Sequence, residues 1–225
     1  RKSLIDKNPV ENLRKLPISK PNIKFWSIEE FTRFRELIRD DEISYDLFFV
    51  IAFFTGMRMG EILALNWNDI NLLTNTIYVT KTVYFVNNTS YINTTKTRSG
   101  NRNITINQKL AEMLKFWKVE QKEKLEEFTK NTDELQIIQS TPITITKNMI
   151  DKKFKQILER DKDLKKIRIH DLRHSHASLL INQGEDYLVV KERLGHASIT
   201  TTIDTYSHLY PSKQKTLANK LDDLF

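Results

Sequence analysis

The sequence predicts an α+β domain that is mainly α-helical and has one small antiparallel β-sheet inserted early in the chain. Hydrophobic residues make up 39% of the 225 residues, including 12 Phe and 3 Trp, which is enough apolar material for a real core. Most of the chain repeats its apolar residues at helical spacing. The stretch 76–106 instead contains runs rich in Thr, Val, Ile and Tyr, separated by Asn-Asn and Ser-Gly turn signals. Helices therefore form the body of the domain, and strands form an insert.

Residues that typically begin or end helices predict where the individual helices lie. Ser27 and Glu30 form a capping box, which predicts a helix over residues 27–39. A second helix over residues 44–55 ends at Gly56, because glycine readily adopts the left-handed conformation that closes a helix. The strands are predicted in the runs "TIYVTKTVYFVNN", "SYINTTK" and "NRNITI". The remaining helices are predicted over residues 61–66, 108–128, 147–159, 170–182 and 187–194.

Composition narrows the class of function. The net charge of +7 and the pI near 9.4 suit a polyanionic partner such as nucleic acid. The absence of cysteine excludes disulfide scaffolds, thiolate zinc sites, iron-sulfur clusters and cysteine nucleophiles, and it favours a reducing compartment. The longest apolar run, 47–54, is far shorter than the roughly 20 residues that span a bilayer, so it predicts a core helix and no membrane partner.

Three parts of the chain are distinguished by composition. Residues 1–25 hold three of the five prolines among scattered lysines, which is typical of an extended connector. The chain opens without Met or a signal-like apolar region, so we expect a further domain upstream of this linker. Residues 26–210 form the main domain. Residues 211–225 form a tail whose Leu217, Leu221 and Leu224 lie at helical spacing, either folded back on its own domain or docked on a neighbouring molecule.

The stretch "TGMRMGEILALNWNDI", 55–70, contains an arginine in an unusual place. Arg58 follows a helix-closing glycine, and the apolar residues after it must turn inward, which leaves Arg58 near the seam between two helices. An arginine there needs an anionic partner. Glu61 is one candidate for that partner, and a substrate phosphate is the other.

Two further stretches contain all five histidines of the chain. In "HDLRHSHASLL", 170–180, His170 and Arg173 lie three residues apart and share a helix face, so that an imidazole and a guanidinium project together. In "LGHASITTTIDTYSHLY", 194–210, His196 precedes three threonines and Tyr206. A buried tyrosine beside a capped helix is the plain structural interpretation of this last stretch.

Together these stretches resemble, in order, the three conserved boxes of the tyrosine recombinases, the family of phage and conjugative-transposon integrases and Xer-type resolvases. The last box, with "DTYSHLYP", is most similar to integrases of phages and mobile elements from low-GC Gram-positive bacteria. The resemblance implies that Glu61 supports the first arginine and that a lysine lies in a sheet turn. "TTKTRSGNRNITI" makes Lys96 the match, with Lys81 as its competitor. The implied catalytic residues are Arg58, Lys96, His170, Arg173, His196 and the nucleophile Tyr206.

The chemistry of DNA strand exchange needs these residue types. A phosphodiester that is attacked in line gathers negative charge on its non-bridging oxygens. The planar guanidiniums of Arg58 and Arg173 can each bind two such oxygens at once. A phenol is a weak nucleophile at neutral pH, so we assign His170 as the acceptor of the Tyr206 proton. By resemblance, His196 binds the phosphate and Lys96 protonates the departing 5′-hydroxyl. The 3′-phosphotyrosyl bond keeps the energy of the broken bond, so neither ATP, metal nor another cofactor is expected.

The resemblance also implies the partners. They are double-stranded DNA attachment sites, a homo-oligomer that is a tetramer on DNA with its tail docked on a neighbour, and accessory DNA-bending or excision factors. The expected location is the bacterial cytoplasm, at the nucleoid when bound to DNA. Because they lie next to Lys96, Arg98 and Arg102 are expected to contact DNA phosphates, which positions the duplex without reading its sequence. His174 is expected either to pack within the protein or to contact the DNA backbone.

Several alternatives remain open. A non-catalytic DNA-binding protein can use the same scaffold, and a type IB topoisomerase uses similar chemistry but reseals the same strand. A zinc hydrolase would use His170, His174 and His176, although three histidines at this spacing do not share one helix face. Tyr210 competes with Tyr206 as the nucleophile. The family spacing selects Tyr206, which follows His196 by ten residues.

Overall fold

The computed structural model describes residues 23–86, 89–94 and 100–209. Its helices are α1 (Ile28–Glu36), α2 (Ile43–Thr55), α3 (Met59–Ala64), α4 (Gln108–Leu125), α5 (Lys147–Leu158), α6 (Asp171–Asn182), α7 (Tyr187–Leu194) and α8 (Ile199–Tyr206). Its strands are β1 (Ile70–Asn71), β2 (Thr76–Val79), β3 (Lys81–Val86), β4 (Thr89–Thr94) and β5 (Arg102–Thr105). The predicted class, mainly helical with antiparallel strands, is confirmed. Outside the described residues lie most of the 1–25 linker, Lys96, Arg98, Tyr210 and the 211–225 tail with its three leucines.

The helix caps predicted from the sequence form at the predicted residues. The Ser27 hydroxyl accepts a hydrogen bond from the Glu30 amide at 3.2 Å, and the Glu30 carboxylate accepts one from the Ser27 amide at 2.8 Å. Helix α1 is shorter than predicted and ends at Glu36. Gly56 closes α2 with φ of +65°, and a Cβ on it would lie 2.7 Å from the side chains of His176 and Leu194. Glycine is therefore required here for both its conformation and its size.

The strands form two sheets where the sequence predicts one. The run 76–86 is interrupted at Thr80, so that β2 joins β1 and β5 in one antiparallel sheet while β3 pairs with β4 as a separate hairpin. The first sheet packs Ile77 and Ile104, which are directly paired, into the core. Strand β4 is exposed along its whole length. The hairpin contacts the body through α3, where a Cβ on Gly60 would lie 2.7 Å from the Val83 carbonyl oxygen.

Helix α2 runs through the centre of the core. Its residues 47–53 are all buried, so that apolar side chains on every side of the helix lie in the core, as the 47–54 run predicts. Phe53 stacks on Phe31 of α1 with ring centroids 3.9 Å apart. Helix α2 also packs against α6, which fixes the start of α6 relative to Gly56. Within the part of the chain that the structure describes, no helix is long and apolar enough to cross a membrane.

A second, smaller core joins the last three helices. It contains Ala177 and Ile181 of α6, Val190 and Leu194 of α7, and Tyr206 at the end of α8. Tyr206 is only 1% exposed, because its ring is part of this core. The helix that ends at Tyr206 is therefore held directly against α6.

Candidate active site

Glu61 is the centre of an arginine cluster at the start of α3. Its carboxylate is 3% exposed and accepts hydrogen bonds from the Arg58 amide at 2.9 Å and the Arg58 guanidinium at 2.8 Å. Arg102 of β5 donates two more, at 2.8 and 3.2 Å. Burial raises the pKa of Glu61, but the Arg102 and Arg58 charges outweigh it and hold the pKa below its ordinary value. Glu61 therefore stays ionised and fixes both arginines.

Arg102 lies behind the site instead of on its surface. Its side chain is 7% exposed, and besides Glu61 it donates to the carbonyl oxygens of Arg193 at 2.9 Å and Gly100 at 3.3 Å. This placement disagrees with the expected DNA-backbone contact, because the donors of Arg102 already have partners inside the protein. We assign Arg102 as a positioning residue that supports Glu61.

Arg173 reaches the same cluster from α6. The residue is 4% exposed, and its Nη1 donates to the carbonyl oxygen of Gly56 at 2.7 Å. Its Nη2 is buried and has no hydrogen-bond partner among the described residues. Burial and the nearby Arg58 charge lower the pKa of Arg173 to about 9, so the guanidinium is still charged at neutral pH. A buried, charged donor without a partner is what an anionic ligand would satisfy.

His196 follows the left-handed Gly195 that ends α7. Its Nδ1 lies 2.9 Å from the hydroxyl oxygen of Thr202, which is fully buried in α8. Burial, then the charges of Arg173 and Arg58, lower the pKa of His196 to about 4, so the ring is neutral at pH 7. Thr202 thus orients the histidine. The sequence interpretation gave no role to Thr202, although the three threonines between His196 and Tyr206 were its signal.

The hydroxyl of Tyr206 contacts His174. The Tyr206 oxygen lies 2.7 Å from His174 Nδ1, and the two ring centroids are 5.7 Å apart. Burial raises the pKa of Tyr206 to about 12. The structure therefore places His174 beside the predicted nucleophile, a contact that the sequence analysis, which expects His174 to pack or to contact the DNA backbone, does not include.

His170 lies immediately before α6 and is exposed to solvent. Partial burial of its ring, followed by the charge of Arg173, lowers its pKa below the ordinary value. Its ring centroid is 5.4 Å from that of His174, and the two rings are perpendicular. No hydrogen bond joins His170 to Tyr206 in the described structure. The predicted proton acceptor is thus near the nucleophile but does not touch it.

The other candidates occupy different positions. Lys81 of β3 forms an ion pair with Asp69 at 2.8 Å, while its competitor Lys96 lies in the part of the chain that is not described. His176 is 2% exposed and its Nε2 accepts a hydrogen bond from Arg193 at 3.0 Å. Across the described ranges, no three metal-binding side chains converge on one point.

The arrangement suits an oxyanion with several negative oxygens. Three guanidiniums, those of Arg58, Arg102 and Arg173, interact with a single carboxylate, Glu61, so the site has an excess of fixed positive charge. Sequence reasoning missed a further arginine beside Arg102. This is Arg193, which is half-buried and donates to His176, to the Thr105 carbonyl at 3.1 Å and to the Phe54 carbonyl at 3.1 Å.

This fold and this cluster define the catalytic domain of a tyrosine recombinase. The chain belongs to the family described as "Phage integrase family", whose model matches residues 25–213. It is 43% identical over 222 residues to the ICEBs1 integrase of Bacillus subtilis (strain 168), covering 98% of this chain and 60% of that protein. It is 29% identical over 214 residues to the integrase of Staphylococcus phage L54a, covering 89% of this chain and 60% of that integrase.

Solved structures share the fold. The Tn1549 transposon integrase in complex with transposon right end DNA matches with a TM-score of 0.76 at 19% identity, covering 98% of this chain and 72% of that one. The catalytic domain of bacteriophage HP1 integrase matches with a TM-score of 0.58 at 21% identity, covering 88% of this chain and 94% of that one. The chain thus spans almost the whole of an isolated catalytic domain, but about 60% of the curated relatives named above.

Proposed function

We propose that this chain is the catalytic part of a site-specific DNA recombinase that integrates or excises a mobile element. The observation that supports this most is the buried Nη2 of Arg173, which is charged, has no partner among the described residues and lies close enough to Tyr206 to interact with it electrostatically. A scissile phosphate would satisfy this donor while placing phosphorus near the tyrosine. Membership of the integrase family and the mobile-element relatives support the same function.

In the proposed reaction the Tyr206 oxygen attacks the phosphorus, and the bond to the 5′-oxygen breaks. Arg58 and Arg173 bind the non-bridging oxygens, and His196, held by Thr202, donates a further hydrogen bond to the phosphate. The product is a 3′-phosphotyrosyl bond and a free 5′-hydroxyl, whose proton comes from Lys96. Attack by the 5′-hydroxyl of another strand reverses these steps and rejoins the DNA.

The proposed partners follow from this reaction. They are two attachment-site duplexes, a tetramer of the full-length protein in the bacterial cytoplasm, and accessory factors that bend DNA or direct excision. We place the 1–25 segment as a linker from a DNA-binding domain upstream. Arg98, two residues after Lys96, is proposed to contact a DNA phosphate.

Covalent trapping tests the proposed function. The full-length protein is incubated in EDTA with a nicked duplex carrying the joined ends of its own mobile element, so that the cleaved strand diffuses away. We expect a covalent protein-DNA adduct on a denaturing gel, since the chemistry needs no metal. Tyr206→Phe should remove the adduct completely because the ring stays but the nucleophile is lost.

Tyr210→Phe is the matched control and should leave the adduct intact. An adduct that survives Tyr206→Phe would reject Tyr206 as the nucleophile. Tight duplex binding by a protein that never forms an adduct would favour the non-catalytic DNA-binding protein, and loss of the adduct in EDTA would favour a metal-dependent hydrolase.

The tail is proposed to dock on a neighbouring molecule. Helices α7 and α8 present four apolar side chains that are 38 to 48% exposed, namely Leu188, Val189, Ile199 and Ile203. Leu217, Leu221 and Leu224 from a second copy would cover these side chains, since burying apolar surface away from water is favourable in free energy.

Removing residues 212–225 from the full-length protein should therefore abolish multimeric complexes on DNA in a gel-shift assay while single-site binding persists. A control in which Lys213, Lys215 and Lys220 become Ser keeps the leucines and should still form multimers. Unchanged multimers after truncation would contradict docking in trans.

A further inference from the structure

The hydroxyl of Tyr206 has a specific partner that the proposed mechanism has not yet used. His174 Nδ1 lies 2.7 Å from the Tyr206 oxygen, a distance typical of a strong hydrogen bond. The two residues are 32 positions apart in the chain and come from different helices. The packing of α8 against α6 therefore creates this contact, and local spacing does not.

The position of His174 links the nucleophile to the phosphate-binding arginine. His174 follows Arg173 directly in α6, and it lies one helical turn after His170. Tyr206 is buried in the small core between α6, α7 and α8, so bulk water has little access to its hydroxyl. A base for this phenol must then be supplied by the protein.

We propose that His174 is the catalytic residue that accepts the proton of Tyr206 during strand cleavage. This assignment rests on the proposed recombinase function and replaces His170 in that role. As the bond from the Tyr206 oxygen to phosphorus forms, the phenol proton moves to His174 Nδ1, and the bond from phosphorus to the 5′-oxygen breaks. The departing oxygen takes its proton from Lys96. During religation, His174 returns the proton to Tyr206 as the phenolate leaves.

The imidazole is unprotonated at neutral pH, as any proton acceptor must be. Burial, then the neighbouring His170, lowers the pKa of His174 to about 4, so the ring is neutral at pH 7. A neutral ring has one nitrogen that can accept a proton, and the contact with the hydroxyl fits Nδ1 in that role, with the hydrogen on Nε2. The titratable and charged groups around this ring are Arg168, His170, Asp171, Arg173, His196 and Tyr206.

His170 then has a different task. It is exposed at the start of α6, and no hydrogen bond of the described structure joins it to the tyrosine. It is free to contact the phosphate oxygens together with Arg173. In this proposal His174 contacts the nucleophile and His170 contacts the phosphate.

The test compares His174→Asn with His174→Ala in the full-length protein on the nicked duplex described above, measured as the single-turnover rate of adduct formation. Asparagine places a hydrogen-bonding atom near the position of Nδ1 but cannot take up a proton at neutral pH. Loss of a general base typically lowers a rate by about 10² to 10⁴-fold. We expect both variants to fall in this range at pH 7, with duplex affinity and melting temperature close to wild type for the asparagine variant.

The pH dependence separates proton transfer from positioning. Without a base, Tyr206 must ionise first, so the rate of His174→Asn relative to wild type should rise about tenfold per pH unit between pH 6 and 9. Added imidazole should restore part of the rate of His174→Ala. A pH-independent rate ratio, or full activity of His174→Asn, would show that His174 only positions the tyrosine and would overturn the proposal.

Failure of this inference is distinguishable from failure of the proposed function. If wild type forms no adduct, the recombinase function fails as a whole. If wild type forms the adduct while the His174 variants lose duplex affinity and keep the rate at saturating DNA, His174 is a DNA contact and the proposal is rejected. If His170→Asn alone shows the altered pH profile, His170 is the proton acceptor.

Discussion

Arg173→Lys should lower the single-turnover rate of covalent adduct formation by about 10² to 10³-fold, the usual cost of losing one preorganised donor to a developing oxyanion. Nη1 of Arg173 donates to the Gly56 carbonyl at 2.7 Å, and the buried Nη2 is the donor proposed for the phosphate. A lysine can reach one of these two acceptors but not both. The variant keeps the positive charge of Arg173 but loses the bidentate geometry of its guanidinium. Duplex binding should change little, because affinity depends on many phosphate contacts.

Arg168→Lys provides the matched control for this loss. Arg168 lies three residues before the first residue of α6, its side chain is 80% exposed, and it pairs with Asp171 at 2.8 Å. The Arg168 side of this pair is in solvent and a lysine keeps its positive charge beside Asp171, so the adduct should form at close to the wild-type rate. Equal losses in the two variants would show that any arginine near the start of α6 matters only for DNA affinity.

The sequence predicted the parts of the site that depend on local spacing. Arg58 after a helix-closing glycine, and His170 with Arg173 on one helix face, are encoded within a few neighbouring residues. The resemblance to tyrosine recombinases added His196 and Tyr206 by their spacing. The family is confirmed, while the roles of these residues remain predictions.

The parts that the sequence did not predict depend on contacts between distant elements. Arg102 meets Glu61 across 41 positions, so a residue in an apparent turn of the sequence is a buried support in the fold. His174 meets Tyr206 only because α8 packs on α6. The strand run 76–86 breaks at Thr80, because β2 pairs with β5 while β3 packs against α3. Strand propensity describes each segment by itself, so it cannot distinguish two sheets from one.

Glu61 depends on its long-range contact with Arg102. Among residues that do not react themselves, we therefore expect Glu61→Gln to reduce stability and activity the most. The neutral amide leaves Arg102 buried without its counter-charge, and breaking a buried ion pair in this way costs about 3 to 5 kcal/mol of unfolding free energy. Arg58 loses the group that fixes its guanidinium. A displacement of this kind by about 1 Å can lower a rate about 10²-fold, which we expect for adduct formation.

Glu42→Gln separates the two effects of this change. Glu42 is as buried as Glu61, and it binds Arg160 at 2.6 and 2.7 Å and Lys153 at 2.8 Å, in a cluster that contains none of the site residues. Urea unfolding should therefore show a loss of stability in both variants, whereas only Glu61→Gln should slow adduct formation under conditions where both proteins are folded. If Glu42→Gln slows the reaction equally, the rate follows global stability and Glu61 has no special role in the site.

The pH dependence of stability provides the final check on both carboxylates. Arg160 holds the pKa of Glu42 well below 4.5, and Arg102 outweighs burial to hold the pKa of Glu61 below the same value. A carboxylate with a depressed folded-state pKa stabilises the protein above its unfolded pKa, and this contribution is lost as the pH falls through the folded pKa. Wild type should therefore lose unfolding free energy steadily below about pH 4.5, as the unfolded chain takes up protons first. Each Gln variant should start lower at pH 7 and lose less on acidification, so that its unfolding free energy approaches that of wild type. Parallel curves would mean that the glutamates are not ionised partners of these arginines in the folded protein.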